Sequence, residues 1–519
     1  MKRIYGMLAA TLLLTSCATL KNRPVAQRQK SIVVLYDNDV HCGIDGYAKM
    51  AGLRDAINKS DTAYATVISS GDYLQGGTSG AISRGQYVVD IMRNMNYAAI
   101  TIGNHEFDYG VPHMKKLLSE VNAPVVVANF FDAGADKAYY PAYVMKTMGG
   151  KRIAFVGAVT PETMILEKFA FYNEQDEMIY DLKPETFYAL VQQAVDEARK
   201  AGADYVVMLS HVGEQTQSMG FDSHKLIAAT RGIDVVLDGH SHSVIPHDEV
   251  ANLDGKIIGI TQTGTQFANI GKLLITKDGR FSTTLIPSSE VPYENEQVKA
   301  TTDSIKTLMN AVINREVCSI DYDLEVMDEA SGKFIVRCRE TNAGDLVADA
   351  FRWVLDAEIS LVNGGGIRNN VFAGRKTYGD IVNLVPYDNK MMKMEATGAA
   401  IMDVLRLNTA ITPEPDGNFP QCSGIRYTIH TGSHEISDVQ IWDKEKGEYV
   451  DIDLQKTYTV AINDYCRHSG FCGALKNSKV LQNTNIFMRD AVTDFIEKEL
   501  GGNLGDTYAK PQGRITIVP

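Results

Sequence analysis

One pattern constrains this chain more than any other. Apolar runs in its first half end, repeatedly, in aspartate, histidine or asparagine. Residues 31–36 run into Asp37-Asn38-Asp39-Val40-His41, and 65–70 into Gly71-Asp72. Residues 98–102 run into Gly103-Asn104-His105-Glu106-Phe107-Asp108. Residues 205–210 end at His211, and 235–237 at Asp238-Gly239-His240-Ser241-His242. Short apolar runs bounded by turn residues read as buried strands. Helical patterns lie between and around them at 46–58, 86–95, 111–121 and 184–201. In the last, Phe187, Leu190, Val191, Ala194, Val195 and Ala198 line one face, with Pro184 at the start and Gly202 at the stop. Runs at 125–128 and 152–159 read as further strands, and 255–276 as two more. Strands alternating with helices predict an α/β domain, with its site at the carboxyl edge of the sheet.

A lone histidine after a strand is more often a hydrogen-bonded loop residue than a ligand. Five matched strand ends change that reading. Asp39 and His41 are two apart in a turning segment, as are His240 and His242, so both members of each pair can face one ion. A thiolate-free set of His, Asp and Asn suits Zn, Mn, Fe, Co or a similar divalent ion. There are too many donors for one tetrahedral ion, and two ions need a shared ligand, a part suited to Asp72. Two metals about 3.5–4 Å apart clamp both sides of a displacement at phosphorus and activate water, so no Ser or Cys nucleophile is required. His105 is left over to stabilise charge on phosphoryl oxygens or to aid the leaving group. Asp108 reads either as the group that orients His105 or as the N-cap of the next helix. Glu106 has no catalytic role in this reading. It is expected to hold the loop, with Glu106→Gln far milder than His105→Ala.

At 519 residues the chain is long for one domain. Val298, Ile305, Leu308, Met309 and Val312 mark one amphipathic helix, read as a linker at 291–317. It would join a first domain at 31–290 to a second α/β domain at 318–519. The second half carries Arg337-Cys338-Arg339-Glu340-Thr341-Asn342 ahead of a helix near Gly344-Asp345. It also carries Asn363-Gly364-Gly365-Gly366-Ile367-Arg368, a strand end with three glycines and an arginine. Glycines admit close approach to a ligand and arginine suits phosphate or carboxylate, but such a run is equally a tight turn. A net charge of -13 disfavours nucleic-acid polymers while leaving room for a small anion at a metal site. Cys42, Cys318, Cys338, Cys422, Cys466 and Cys472 have no CxxC spacing and read as buried thiols or as disulfides of open pairing.

Lys2 and Arg3, the apolar 4–14 and Leu14-Thr15-Ser16-Cys17 resemble a bacterial lipoprotein signal at 1–16. Lipid would then sit on Cys17, with a polar tether at 17–30; in a plain signal peptide Cys17 would be incidental. The expectation is an exported protein anchored by acyl chains to a bacterial membrane, the outer membrane by preference, on its periplasmic or surface face.

Taken in order, DxH, GD, GNHE, a separate H and GHxH resemble the metallophosphoesterase superfamily. The fit is closest to the two-domain 5′-nucleotidases of bacteria and animals, over nearly everything after Ser31. The resemblance implies a calcineurin-like first domain of stacked β-sheets flanked by helices, and a C-terminal α/β substrate-binding domain. It implies that Asp39, His41, Asp72 and His242 hold one divalent ion, and that Asp72, Asn104, His211 and His240 hold the other. It also implies that Asp108 orients His105. Some members carry Gln or Asn in place of His242, so the imidazole version should alter metal preference. In the second domain the resemblance implies that Phe419 and Phe471 sandwich a nucleobase, with Arg339, Asn363 and Arg368 as polar partners. The chain departs from the family at 463–471, which lacks two glycines and an aspartate usual there. The implied activity is hydrolysis of extracytoplasmic nucleotides to nucleoside and phosphate by a metal-activated water. The cleft would lie between domains hinged near 314–318. Competing readings are cyclic-nucleotide, dinucleotide or nucleotide-sugar cleavage at the same site, sulfur-ester hydrolysis on the same scaffold, and a non-catalytic nucleotide-binding lipoprotein.

Overall fold

The apolar runs of the first half are strands buried on both faces. Along Lys151–Val159 and Tyr205–His211, residues Ile153, Phe155, Val207 and Leu209 enter one core, while Ala154, Val156, Ala158, Val206 and Met208 enter another. Alternate side chains of a strand point to opposite faces. Apolar packing on both faces therefore erases the polar alternation and leaves a continuous hydrophobic run. The structure, a computed structural model, describes residues 30–173, 177–214 and 220–519. Cys17, the signal-like segment and most of the tether lie outside the described residues. The chain divides into two units, Met1–Asp303 and Ser304–Pro519. The division falls inside the helix Glu296–Ile313, the amphipathic element read from the sequence.

In the first unit one sheet runs in the order Phe281–Pro287, Asn269–Ile275, Ser31–Asp37, Ala63–Ser69, Ala99–Ile100. The other runs Val244–Ala251, Ile257–Thr263, Val235–Leu237, Tyr205–His211, Lys151–Val159, Tyr143–Met148. Both have parallel pairings among the site-bearing strands and antiparallel outer pairings. Ile32, Val34, Tyr36 and Ile68 of the first sheet share a core with Ile153, Phe155, Val207 and Leu237 of the second, so the sheets are stacked. The outer face of the second sheet is closed by Phe187, Val191, Ala194, Val195 and Ala198 of the helix Phe187–Lys200. Full burial of one such large side chain contributes about 1.5–3 kcal/mol.

Some local expectations change. Residues 125–128 form no strand; Val125 makes only an isolated bridge to Ile100. The helix read at 86–95 is Gln86–Met92. Val244–Ala251 is a strand without an apolar run, because an exposed edge strand can place Pro246, His247, Asp248 and Glu249 in succession without burying a charge.

In the second unit a five-stranded sheet runs Pro420–Ser423, Ile359–Asn363, Thr457–Asn463, Lys390–Thr397, Lys479–Phe487. Ile359–Asn363 and Thr457–Asn463 are parallel. The helix Asn342–Val354 is capped by Thr341, whose Oγ1 accepts the N–H of Gly344 at 3.0 Å. Cys42, Cys318, Cys338, Cys422, Cys466 and Cys472 are buried free thiols. No helix among the described residues is long and apolar enough to cross a membrane.

Candidate metal centre

The carboxyl ends of parallel strands from both sheets deliver side chains to one place. Ser31–Asp37 leads to Asp39 and His41, Ala63–Ser69 to Asp72, and Ala99–Ile100 to Asn104 and His105. Tyr205–His211 ends on His211, and Val235–Leu237 leads to His240 and His242. Nε2 of His41 lies 2.9 Å from Nε2 of His242 and 3.7 Å from Oδ2 of Asp72. Oδ1 of Asp39 is 3.6 Å from Nε2 of His242 and 3.8 Å from Nε2 of His211. Nε2 of His211 is 3.2 Å from Oδ2 of Asp72. Nδ1 of His240 is 2.8 Å from Oδ1 of Asn104. One oxygen of Asp72 thus faces two imidazoles from opposite sheets, as a shared ligand must.

Backbone shape makes this convergence. Asp39, His41, Asp72, His240 and His242 have φ of 51°, 44°, 58°, 80° and 55°. The left-handed region costs on the order of 1 kcal/mol per non-glycine residue. Main-chain bonds hold the first loop there, Asp39 N–H to Gly71 O and His41 N–H to Asp72 O, both at 3.0 Å. A Cβ on Gly103 would lie 2.2 Å from Oδ1 of Asp72 and 2.5 Å from Nε2 of His211, so only glycine fits.

The donor set fits divalent cations. The main-chain carbonyls of Gln75 and Ser70 face Nδ1 of His41 and His211 at 3.2 and 2.7 Å. A carbonyl only accepts, so Nδ1 carries the proton and the Nε2 lone pair is left to the centre. Nε2 of His211 is buried without a hydrogen-bond partner. Burial opposes a charge on His211, but Asp72 and Asp39 outweigh it and push its pKa up to about 10. The same negative field would hold a metal cation. Burial likewise opposes charge on Asp72, yet His211, His105 and His41 hold it well below the usual carboxylate range.

His105 donates its N–H to Oδ1 of Asp72 at 2.9 Å, and its Nδ1 is 3.1 Å from Oδ2 of Asp108. Asp108 does not cap the following helix, which starts from Gly110 without a side-chain cap. Burial opposes charge on His105, but Asp108 and Asp72 raise its pKa well above the usual imidazole value. Glu167 brings a carboxylate oxygen to within 4.8 Å of donor atoms of both His105 and Asp108. Burial, then Asp108, pushes the pKa of Glu167 well up, and its side chain is hydrogen-bonded to Asp108.

Glu106 holds the loop through backbone N–H groups on both sides of the centre. Its buried carboxylate accepts the backbone N–H groups of Asp72 (2.8 Å), Tyr73 (2.8 Å), Leu74 (3.0 Å) and Gly103 (2.6 Å). Glu162 and Glu167 escaped the sequence reading. Both follow Lys151–Val159, where Thr160-Pro161-Glu162 repeats the pattern of an apolar run ending in an acid.

In the second unit Asn363 ends its strand, and its Oδ1 accepts from Nδ2 of Asn463 at 3.1 Å. The guanidinium of Arg368 lies 5.2 Å from the ring centre of Phe334 and 6.0 Å from that of Tyr387. Two expectations are corrected. Phe419 and Phe471 are 1% and 0% exposed and belong to the hydrophobic core, so neither presents a face to a base. Their Gly and Pro neighbours predicted loops; Phe419 lies in one, whereas Phe471 lies in the 3-10 helix Gly470–Asn477. Tyr387, whose ring centre is 6.0 Å from the guanidinium of Arg368, is exposed, at 44%. Arg339 is exposed, whereas Arg337 sits with Arg368 at the ring of Phe334, 4.3 Å from its centre, with its buried Nε unpartnered. Two arginines two residues apart carry no periodic signal that tells them apart. At Gly364 and Gly365 a Cβ would lie 2.4 Å from Val336 O and 2.9 Å from Gly417 O, so these glycines serve packing of the chain on itself.

Residues 33–244 match the calcineurin-like phosphoesterase family, and 325–476 match the 5′-nucleotidase C-terminal domain. The trifunctional nucleotide phosphoesterase protein YfkN of Bacillus subtilis (strain 168) is 26% identical over 486 residues, 85% of this chain and 32% of that protein. The 5′-nucleotidase of Vibrio vulnificus (strain CMCP6) is 24% identical over 545 residues, 93% of this chain and 94% of that protein. The crystal structure of the 5′-nucleotidase precursor from Thermus thermophilus shares the fold, with a TM-score of 0.57 at 24% identity over 94% of this chain and 99% of that one. The chain spans about a third of the length of the first curated relatives it matches.

Proposed function

The chain belongs to the two-domain 5′-nucleotidase family of calcineurin-like metallophosphoesterases, and from that premise we propose that it cleaves extracytoplasmic nucleotides to nucleoside and phosphate. It is a metal-dependent hydrolase that uses two divalent ions. Asp39, His41, Asp72 and His242 would hold one, and Asp72, Asn104, His211 and His240 the other. Bound there, the ions supply an activated water and neutralise charge for an in-line displacement at phosphorus. The chain's own residues do the rest. Gln75 and Ser70 fix the tautomers of His41 and His211. Asp108 holds Nδ1 of His105, so that Nε2–H is left to donate to a phosphoryl or leaving-group oxygen. In the second unit Arg337 and Arg368 offer paired guanidinium groups to an anion, and Tyr387 an exposed ring on which a base can stack.

The observation that carries this reading is Nε2 of His211, buried and flanked by the carboxylates of Asp72 at 3.2 Å and Asp39 at 3.8 Å. Protein lacking residues 1–20, supplied with Mn, Zn, Co or Mg, should release phosphate and nucleoside from mononucleotides. The panel includes cyclic nucleotides, nucleotide sugars and an aryl phosphate. Hydrolysis of those but not of mononucleotides would move the substrate, and no hydrolysis with any metal would leave a nucleotide-binding protein. The sequence around Leu14-Thr15-Ser16-Cys17 supports a lipid anchor on a bacterial membrane. Palmitate labelling that survives Cys17→Ala would overturn the anchor.

A further inference from the structure

His240 is turned differently from the other histidines of the centre. His41 and His211 set Nδ1 against main-chain carbonyls and leave Nε2 to the donor set. In His240 it is Nδ1 that sits in the donor set, 2.8 Å from Oδ1 of Asn104. Its Nε2 points away, with Oε2 of Glu162 at 3.5 Å, an ion-pair distance and not a formed hydrogen bond. Glu162 is 1% exposed. It stands just past the carboxyl end of Lys151–Val159, in a turn closed by Thr163 N–H to Thr160 O at 3.2 Å and Ile165 N–H to Glu162 O at 2.9 Å. The acid is therefore carried by a hydrogen-bonded turn that directly follows a strand of the second sheet.

An amide oxygen only accepts, so Nδ1 of His240 meets Asn104 as N–H until a cation displaces that proton, and the Glu162 carboxylate is then the acceptor that faces a proton on Nε2. A carboxylate behind a ligating imidazole also makes the ring a stronger donor, fixes its plane and tightens the bound metal. His41 and His211 have only neutral carbonyls in that place. We infer that Glu162 is a positioning residue that selects Nδ1 of His240 as a metal-ligating atom and strengthens the hold on a divalent cation at the Asn104–His240 position over that at the His41–His242 position. The two ions then bind with unequal affinity, and the difference is set from a turn residue that is not itself a ligand.

The inference rests on the two-metal reading. Wild type, Glu162→Gln and Glu162→Ala, each stripped with chelator, would be titrated with Mn or Zn by calorimetry, and metal content measured after gel filtration. Gln removes the charge and keeps an acceptor; Ala removes both. Glu162→Ala should lose about one of two ions on the column, with one affinity weakened about 10–100-fold and the other unchanged. Glu162→Gln should fall between. Melting of the metal-free proteins should agree within a few degrees, which separates ligand orientation from folding. Two wild-type affinities in Glu162→Ala would overturn the role of Glu162. If Glu162→Ala does not fold, unchanged affinities in Glu162→Gln overturn it instead. A wild type that binds fewer than two ions would overturn the two-metal reading itself.

Discussion

The carboxylate of Glu106 accepts the backbone N–H of Asp72 at 2.8 Å, across 34 positions of chain. Each oxygen takes two donors, Oε1 from Tyr73 and Leu74, Oε2 from Asp72 and Gly103. The loop that carries Asp72 and the loop that carries Asn104 are thereby one body. In Glu106→Gln an NH2 group would face two buried N–H groups and leave them without an acceptor, at about 1–3 kcal/mol each. Metal-free Glu106→Gln should lose on the order of 3 kcal/mol in chemical denaturation. Wild-type stability in that variant would remove Glu106 from this role.

His105→Ala should keep both metals and lower kcat by about 10²–10⁴-fold, the usual worth of a positioned proton donor. Unchanged turnover in the metal-replete variant would sink the assignment. Burial, then Asp108, pushes the pKa of Glu167 well up, which favours a Glu167 O–H that donates toward the Asp108 carboxylate. Glu167→Gln preserves a donor there and should stay near wild type. Glu167→Ala should lose about tenfold in kcat with KM unchanged, one hydrogen bond to a charged group at about 1.5 kcal/mol. Equal effects of the two variants would assign Glu167 to packing alone.

Burial pushes the pKa of Asp37 up to about 7, although the hydroxyl of Tyr97 donates to its Oδ2 at 2.7 Å. The fold keeps this proton to about pH 7, while the unfolded chain releases it near the ordinary value of 3.8. Raising pH through that window therefore favours the unfolded chain, with a ceiling of about 4 kcal/mol. Asp37→Asn should abolish this part of the slope between about pH 4 and pH 7 and gain stability over wild type above about pH 7. Denaturation curves of the metal-free proteins at about pH 5 and pH 8 that show parallel losses would contradict the shift.

In the second unit, Phe419→Ala and Phe471→Ala should each cost about 3–5 kcal/mol of stability, because they empty core volume. Arg337→Ala and Tyr387→Ala should leave melting temperature nearly unchanged and raise KM for a mononucleotide by about tenfold or more. That figure takes one charged hydrogen bond or one stacked base at about 1.4 kcal/mol or above. The opposite split between the two pairs would return the base to Phe419 and Phe471.

The first unit was legible because its strands are buried on both faces and end in chemically unusual residues. Apolar runs marked the strands, and Asp39, His41, Asp72, Asn104, His211, His240 and His242 marked their ends. Asp108 was ambiguous in sequence, since capping and ring orientation use the same carboxylate; the contact with His105 and the uncapped Gly110 start separate them. Glu162 was hidden because a single acid after a strand resembles any surface turn, and its burial is a tertiary property. The second unit was less legible for a related reason. Whether Phe419 faces a ligand or the core depends on a side-chain direction that loop composition does not encode. Exposed edge strands such as Val244–Ala251 gave no period because neither face had to be apolar.

The strand Asn269–Ile275 pairs antiparallel with Ser31–Asp37, the earliest strand of the unit. Just before it, Thr263 donates from N and Oγ1 to Oδ1 of Asn38 at 2.9 and 2.8 Å, and Gln266 N–H reaches Asp39 O at 3.0 Å. A chain growing from its N-terminus therefore holds every donor of the centre once His242 is made, yet the loop of Asp39, held on one side by Gly71 and Asp72, lacks its second clamp until Thr263, Gln266 and the strand after them are made. Closing contacts of such sequence separation is slow. A nascent or truncated chain that stops near residue 250 would carry the complete motif set and still be unable to assemble the site, so in biosynthesis the capacity to take up metal arrives late and all at once.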